Sequence, residues 1–131
     1  MALLTRDEIV DVDDSQFEDI EVPEWGGKVR VVGMTGSQRD AYEASILEQK
    51  GGERRVVLAN ARAKLVQRCL VGEDMRPLFT ADDVRLLGKK SAIALERVFD
   101  KARALSGMSE KDMEKLVENF DDDPSDEGTS D

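Results

Sequence analysis

The chain has 131 residues, room for one domain with a modest core. Hydrophobic residues make up 40% and charged residues 37%, with no histidine and a single cysteine, Cys69. That composition removes the commonest general base, the commonest metal ligand and any internal disulfide, and no apolar run approaches the roughly 20 residues that span a bilayer.

The net charge of −10 is unevenly placed. Residues 1–23 carry eight acids and one base, residues 121–131 carry six acids and no base, and the stretch between is slightly basic. Acidic ends disfavour duplex nucleic acid, because binding phosphate needs clustered Lys and Arg. The N-terminus has no basic segment followed by a long apolar stretch, so a secretory signal is not expected. A cytoplasmic protein in a reducing compartment is.

Residues 1–16 mix acids with a few aliphatics and hold no sustained period; they read as an acidic flexible arm. A β-hairpin follows. Ile20 and Val22 alternate with Asp19 and Glu21, and Val29 and Val31 with Lys28 and Arg30, around a turn at Glu24-Trp25-Gly26-Gly27. An acidic first strand against a basic second gives favourable cross-strand pairs.

Thr35 and Gln38 have capping-box spacing and open a first helix with Tyr42, Ile46 and Leu47 on its apolar side, broken at Gly51-Gly52. A second helix is expected from about Glu53 to Val71, with Leu58, Ala61, Leu65, Val66, Cys69 and Leu70 on one broad face. Thr80 and Asp83 start a short third helix anchored by Val84 and Leu87 and closed at Gly88. A fourth runs from about Ser91 to Leu105, with Leu95, Val98, Phe99, Ala102 and Leu105 as its stripe. Ser109 caps a fifth, in which Met113, Leu116, Val117 and Phe120 repeat at helical spacing. Residues 121–131 have no apolar side chain and read as disordered. The expected fold is α+β and mostly helical: an N-terminal β-hairpin, four or five short α-helices and a disordered acidic C-terminal tail. Residues 17–120 make up the single folded domain.

No catalytic constellation emerges. There is no His for a triad, and the glycines at 26, 27, 33 and 36 miss both the dinucleotide and the phosphate-loop patterns. The acidic runs at 11–14 and 121–123 lack the glycine and distal glutamate of a calcium loop. No enzyme, cofactor or metal is expected, and Cys69 reads as a core thiol. Two residues stand out as partner contacts. Arg62 projects among Leu58, Val66 and Cys69, where it either pairs with a carboxylate between elements or meets a partner. Trp25, at the hairpin tip, either folds onto the helices or serves as a binding anchor. Arg54, Arg55, Lys64 and Arg68 make the second helix the most basic element, without the aromatics or longer charge stripe that nucleic-acid binding would want. A helix-turn-helix across the third and fourth helices would use Lys89-Lys90, but Leu95, Val98 and Phe99 are committed to the core.

Three stretches, IEVPEWGGKVRVVGMTGSQRDAYEAS (20–45), NARAKLVQRCLVGED (60–74) and LFTADDVRLLGKKSAIALERVFDKARALSGMSEKDMEKL (78–116), resemble in content and order the tail assembly chaperones of siphophages, chiefly those infecting actinobacteria. These are scaffold motifs, and none is a catalytic signature. The resemblance implies a protein of the host cytoplasm that binds the helical tape measure protein, keeps it soluble during tail assembly and is absent from the finished virion. It also implies, as further partners, a longer frameshifted form of the chain itself and the major tail protein. The rival reading is a minor structural or connector protein of the tail.

Overall fold

The computed structural model describes residues 2–108 apart from 51–52 and 57–59. The fifth expected helix, the tail and the apolar position Leu58 lie outside the described residues.

Strands β1 (Phe17–Val22) and β2 (Gly27–Val32) form the expected antiparallel hairpin, with Phe17 opposite Val32 and Val22 opposite Gly27. Pro23–Trp25 make one 3-10 turn between them. Gly26 closes that turn at φ 76°, a left-handed conformation that costs glycine little. The period of two sends Ile20, Val22, Val29 and Val31 to one face. Val22 and Val31 are fully buried there, and Ile20 and Val29 pack half-buried against them.

Helix α1 (Arg6–Asp11) precedes the hairpin, inside the segment expected to be an arm without regular structure. The Thr5 N–H donates to Glu8 at 2.9 Å, and the Glu8 N–H donates to the Thr5 hydroxyl at 3.2 Å. This reciprocal capping box explains why so short a helix forms. None of its residues is buried.

Helix α2 (Gly36–Ser45) starts where Thr35 and Gln38 place it, with Thr35 accepting from the Gln38 N–H at 3.1 Å. Its end departs from expectation. The chain turns at Ile46 into β3 (Leu47–Lys50), which pairs antiparallel with β4 (Glu53–Val56), Lys50 opposite Glu53. Gly51-Gly52 therefore separates two paired strands and does not divide two helices, and Arg54 and Arg55 lie on a strand. The pairing of these two four-residue runs takes precedence over the helical propensity of their Glu, Gln and Lys.

Helix α3 spans Ala61–Cys69, eight residues later in its start than expected. Asn60 lies just before it at φ 62°, a conformation that a right-handed helix cannot contain. The helix also stops two residues early. Leu70–Val71 form strand β5, which pairs with Val31 and Arg30 and gives a sheet of order β1-β2-β5. The chain then doubles back beside β5: the Leu78 N–H donates to the Leu70 carbonyl at 3.1 Å, and Pro77 bridges to Val71.

A 3-10 turn (Ala81–Asp83) leads into α4 (Val84–Leu87), and α5 (Ala92–Leu105) follows with Ser91 accepting from the Ala94 N–H at 3.3 Å. The stripe read from the sequence faces inward: Leu95, Val98, Phe99 and Ala102 are buried. Helix α5 packs on α3 and on the inner face of the sheet, and Tyr42, Ile46, Leu65, Val66, Leu70 and Met108 complete the core. Gly33 lets the end of β2 meet the last turn of α5; a Cβ there would collide with the Leu105 carbonyl. The architecture is the expected one, a hairpin followed by four helices within the described residues.

Candidate partner-binding surfaces

Cys69 and Tyr42 carry their nucleophilic atoms into the core. Cys69 is fully buried, and burial pushes its thiol up to about 11, partly offset by a hydrogen bond with Ser106. Only a thiolate is strongly nucleophilic, so this sulfur is inert near neutral pH. Tyr42 is also fully buried; desolvation raises its phenol to about 12, and its hydroxyl donates to the Ala61 carbonyl at 3.1 Å. Among the described residues no three Asp, Glu or Cys side chains gather as metal ligands, and no helix is long and apolar enough to cross a membrane.

The two residues singled out in the sequence lie on opposite flanks of α5. Arg62 reaches from α3 to the Glu96 carboxylate and holds its guanidinium 5.6 Å from the centre of the Phe99 ring, with 59% of the side chain exposed. It joins two helices and keeps an accessible surface. Trp25 is half-buried and packs against the core, so its ring has folded back from the hairpin tip. Its indole N–H is buried and finds no acceptor among the described residues. Beside it, Glu24 takes two hydrogen bonds from Arg97, at 2.9 and 3.3 Å, which hold the Glu24 carboxyl below its ordinary range. Lys101 reaches Glu18 at 3.0 Å, so the hairpin is fastened to the basic side of α5 at two points, one on β1 and one on its turn.

Of the basic residues assigned to the second helix, Lys64 donates to the Ser45 carbonyl at 2.7 Å. It places a cation at the C-terminal end of α2, where the helix dipole favours one. Arg68 is half-buried. Its Nε finds no acceptor among the described residues.

A further apolar exposure lies on the other side of the sheet. Phe17 is half-exposed, and the Arg30 guanidinium stacks 4.6 Å from its ring centre. Arg30 also donates to the Met75 sulfur at 3.7 Å and makes two bonds to Asp19, at 2.7 and 3.0 Å. Those bonds lower the Asp19 carboxyl and raise Arg30. Phe17, Arg30 and Met75 thus form one continuous patch. Two of its three residues were legible in the alternation, since Phe17 and Arg30 fall on the strand face opposite Ile20 and Val31. Met75 was not foreseeable, because it arrives on the loop that doubles back beside β5.

Two other surfaces carry apolar side chains in water. Along the arm, Leu3, Leu4, Ile9, Val10 and Val12 are each more than half exposed. At the corner between α4 and α5, Leu86 and Ile93 are exposed as well. Among the described residues, apolar side chains are thus exposed on three surfaces, the kind of exposure that polypeptide contacts cover. Comparison with known proteins agrees in kind. A family model described as phage tail assembly chaperone matches residues 6–116. No curated protein and no solved structure matches.

Proposed function

Since the chain belongs to the phage tail assembly chaperone family, whose model covers most of its length, we propose that it binds the tape measure protein and keeps that long helical chain soluble during tail assembly. On this reading it works in the host cytoplasm, performs no catalysis and is absent from the finished virion. A longer frameshifted form of the chain and the major tail protein are its further partners. The observation that carries the reading is the patch of Phe17, Arg30 and Met75, which offers apolar area with a fixed cation at its centre. An amphipathic helix laid across a sheet face can bury its apolar stripe on Phe17 and Met75, beside the Arg30–Asp19 pair. Trp25 and Arg62 enter the proposal as secondary contacts at the flanks of α5.

Co-expression with the tape measure protein provides the test. Soluble tape measure protein and a recoverable complex are expected, and Phe17→Ser or Met75→Ser should reduce the yield several-fold. Arg62→Ala should reduce it less. If solubility does not rise, or if the chain is found in stoichiometric amount in purified particles, the proposal fails in favour of a structural subunit of the tail.

A further inference from the structure

We propose that residues 109–123 of this chain fold back as a strap along the outer face of α5, seating Phe120 on the α4–α5 corner and the acids that follow it beside the corner's bases. Such a strap is separate from the capture of a partner. Helix α5 packs on the inner face of the sheet and the patch of Phe17, Arg30 and Met75 lies on the other, so an occupied corner leaves that patch open.

The corner offers what an acidic amphipathic helix needs. Residues 84–95 contain Arg85, Lys89 and Lys90 and no acid. All three bases are exposed and make no ion pair with the described residues. The same stretch leaves Leu86 and Ile93 57% and 65% exposed. A shallow depression of about 500 Å³ continues from it over α5, lined by Ala92, Ile93, Glu96, Arg97 and Asp100. The last four recur at i, i+3, i+4 and i+7 and form one outward stripe of the helix. Charges within the stripe are already matched: Glu24 holds Arg97, Arg62 holds Glu96 and Arg103 reaches Asp100. The bases without a described partner sit at the corner end. There the first turn of α5 also lacks an acid to meet the positive end of its dipole.

The segment that follows α5 supplies the match. Residues 109–131 lie outside the described residues, but their sequence is polarised in the required sense. Met113, Leu116, Val117 and Phe120 repeat at helical spacing after Ser109. The segment's only bases, Lys111 and Lys115, come early in it. Residues 116–123 hold four acids, Glu118, Asp121, Asp122 and Asp123, and no base. Its last apolar side chain is therefore set among carboxylates, as Leu86 and Ile93 are set among bases.

Point of departure and length agree with this. Helix α5 ends in a Schellman turn: Gly107 takes φ 75°, and the Met108 N–H donates to the Arg103 carbonyl at 2.9 Å. Met108 is buried in the core and its carbonyl accepts from Arg103 at 3.3 Å, so the start of the segment is anchored against α5. The left-handed glycine forbids continuation along the same axis. From Leu105 back to Ile93 is twelve residues, about 18 Å along the helix. A helix from Glu110 to Phe120 covers about 15 Å. Laid antiparallel, as helices joined by a short connection pack, it brings Phe120 within one turn of Ile93 and the next three aspartates to Arg85, Lys89 and Lys90. So short a tether holds the segment at high effective concentration, and modest contacts suffice to close it.

A nitroxide on the tail of the full chain tests this. Ser125→Cys supplies the attachment point, since Cys69 is buried and stays unlabelled. In NMR spectra the label should broaden the amides of Arg85 to Ile93 several-fold more than those of Phe17 to Val32, and the excess should shrink as salt rises. Lys89→Glu with Lys90→Glu should remove most of it, and adding Asp121→Lys with Asp122→Lys should restore it. Both lysines are exposed, and an unchanged spread of amide shifts will show that the fold is kept. A mixture of labelled chain with isotope-enriched, unlabelled chain should show no broadening at the corner. Broadening in that mixture would mean that a second copy takes the tail, and would overturn the proposal. An unbroadened corner, equal broadening of the hairpin, or an excess that survives the charge reversal would each overturn it as well. The tape measure solubility assay, run on the Lys89→Glu, Lys90→Glu chain, reports separately on the proposed function.

Discussion

Tyr42 carries a hydroxyl into the core, and the Ala61 carbonyl is what makes that placement tolerable. Tyr42→Phe keeps the ring and removes the donor, so the loss should be about 1 kcal/mol of unfolding free energy, measured by urea denaturation. Together with Cys69 it also sets the alkaline limit of the fold. Both groups are held neutral by burial, with pKa values raised from 9.0 to about 11 for Cys69 and from 10.0 to about 12 for Tyr42. A raised pKa contributes stability that is complete below the ordinary value and is lost as pH climbs through the folded one. The melting temperature should therefore fall from pH 9 upward, and Cys69→Ala should soften the first part of that fall. A thiol reagent at pH 8 should label Cys69 only as fast as the protein opens. The burial of Cys69 was readable from helical spacing. The Tyr42–Ala61 bond was not, because it joins two elements whose relative placement no local pattern contains.

Elements with strong end signals were legible, and elements defined by their partners were not. Helix α5 was evident because five apolar residues fall on one face of a regular repeat, and α2 because Thr35 and Gln38 announce its start. The same capping spacing at Thr5 and Glu8 marks α1, but the run behind it is too short to show a period. β5 has two residues and exists only because β2 offers it an edge. The hairpin β1–β2 is held to α5 by Glu24–Arg97 and to itself by Asp19–Arg30, and both carboxyls are lowered by those arginines. A lowered carboxyl contributes stability above its ordinary pKa and loses it as pH falls through the depressed value. The melting temperature should drop on acidification below about pH 4, and Glu24→Gln should start lower and drop less. An equal drop in the variant would mean that this pair adds nothing.

At the scale of the whole molecule the charge is sorted by position. The arm holds acids and exposed aliphatics and buries none of them. Deleting residues 1–12 should consequently leave the unfolding free energy of the remaining chain, read from urea denaturation, within about 0.5 kcal/mol of the parent. A larger loss of stability would show that the arm packs on its own domain. The sequence revealed the imbalance of charge directly. It could not reveal which aliphatics stay wet, since that depends on whether another surface arrives to cover them.

The three-stranded sheet has one further consequence. On one side the chain doubles back over β5 with Pro77, which has no N–H to donate; on the other, β1 presents Glu18, Asp19 and Glu21 along an open edge. Hydrogen-bonded growth is plugged at the first boundary, and at the second an identical strand arriving antiparallel would set carboxylates against carboxylates. A chain with this much apolar surface can thus crowd at high concentration without zipping into fibres.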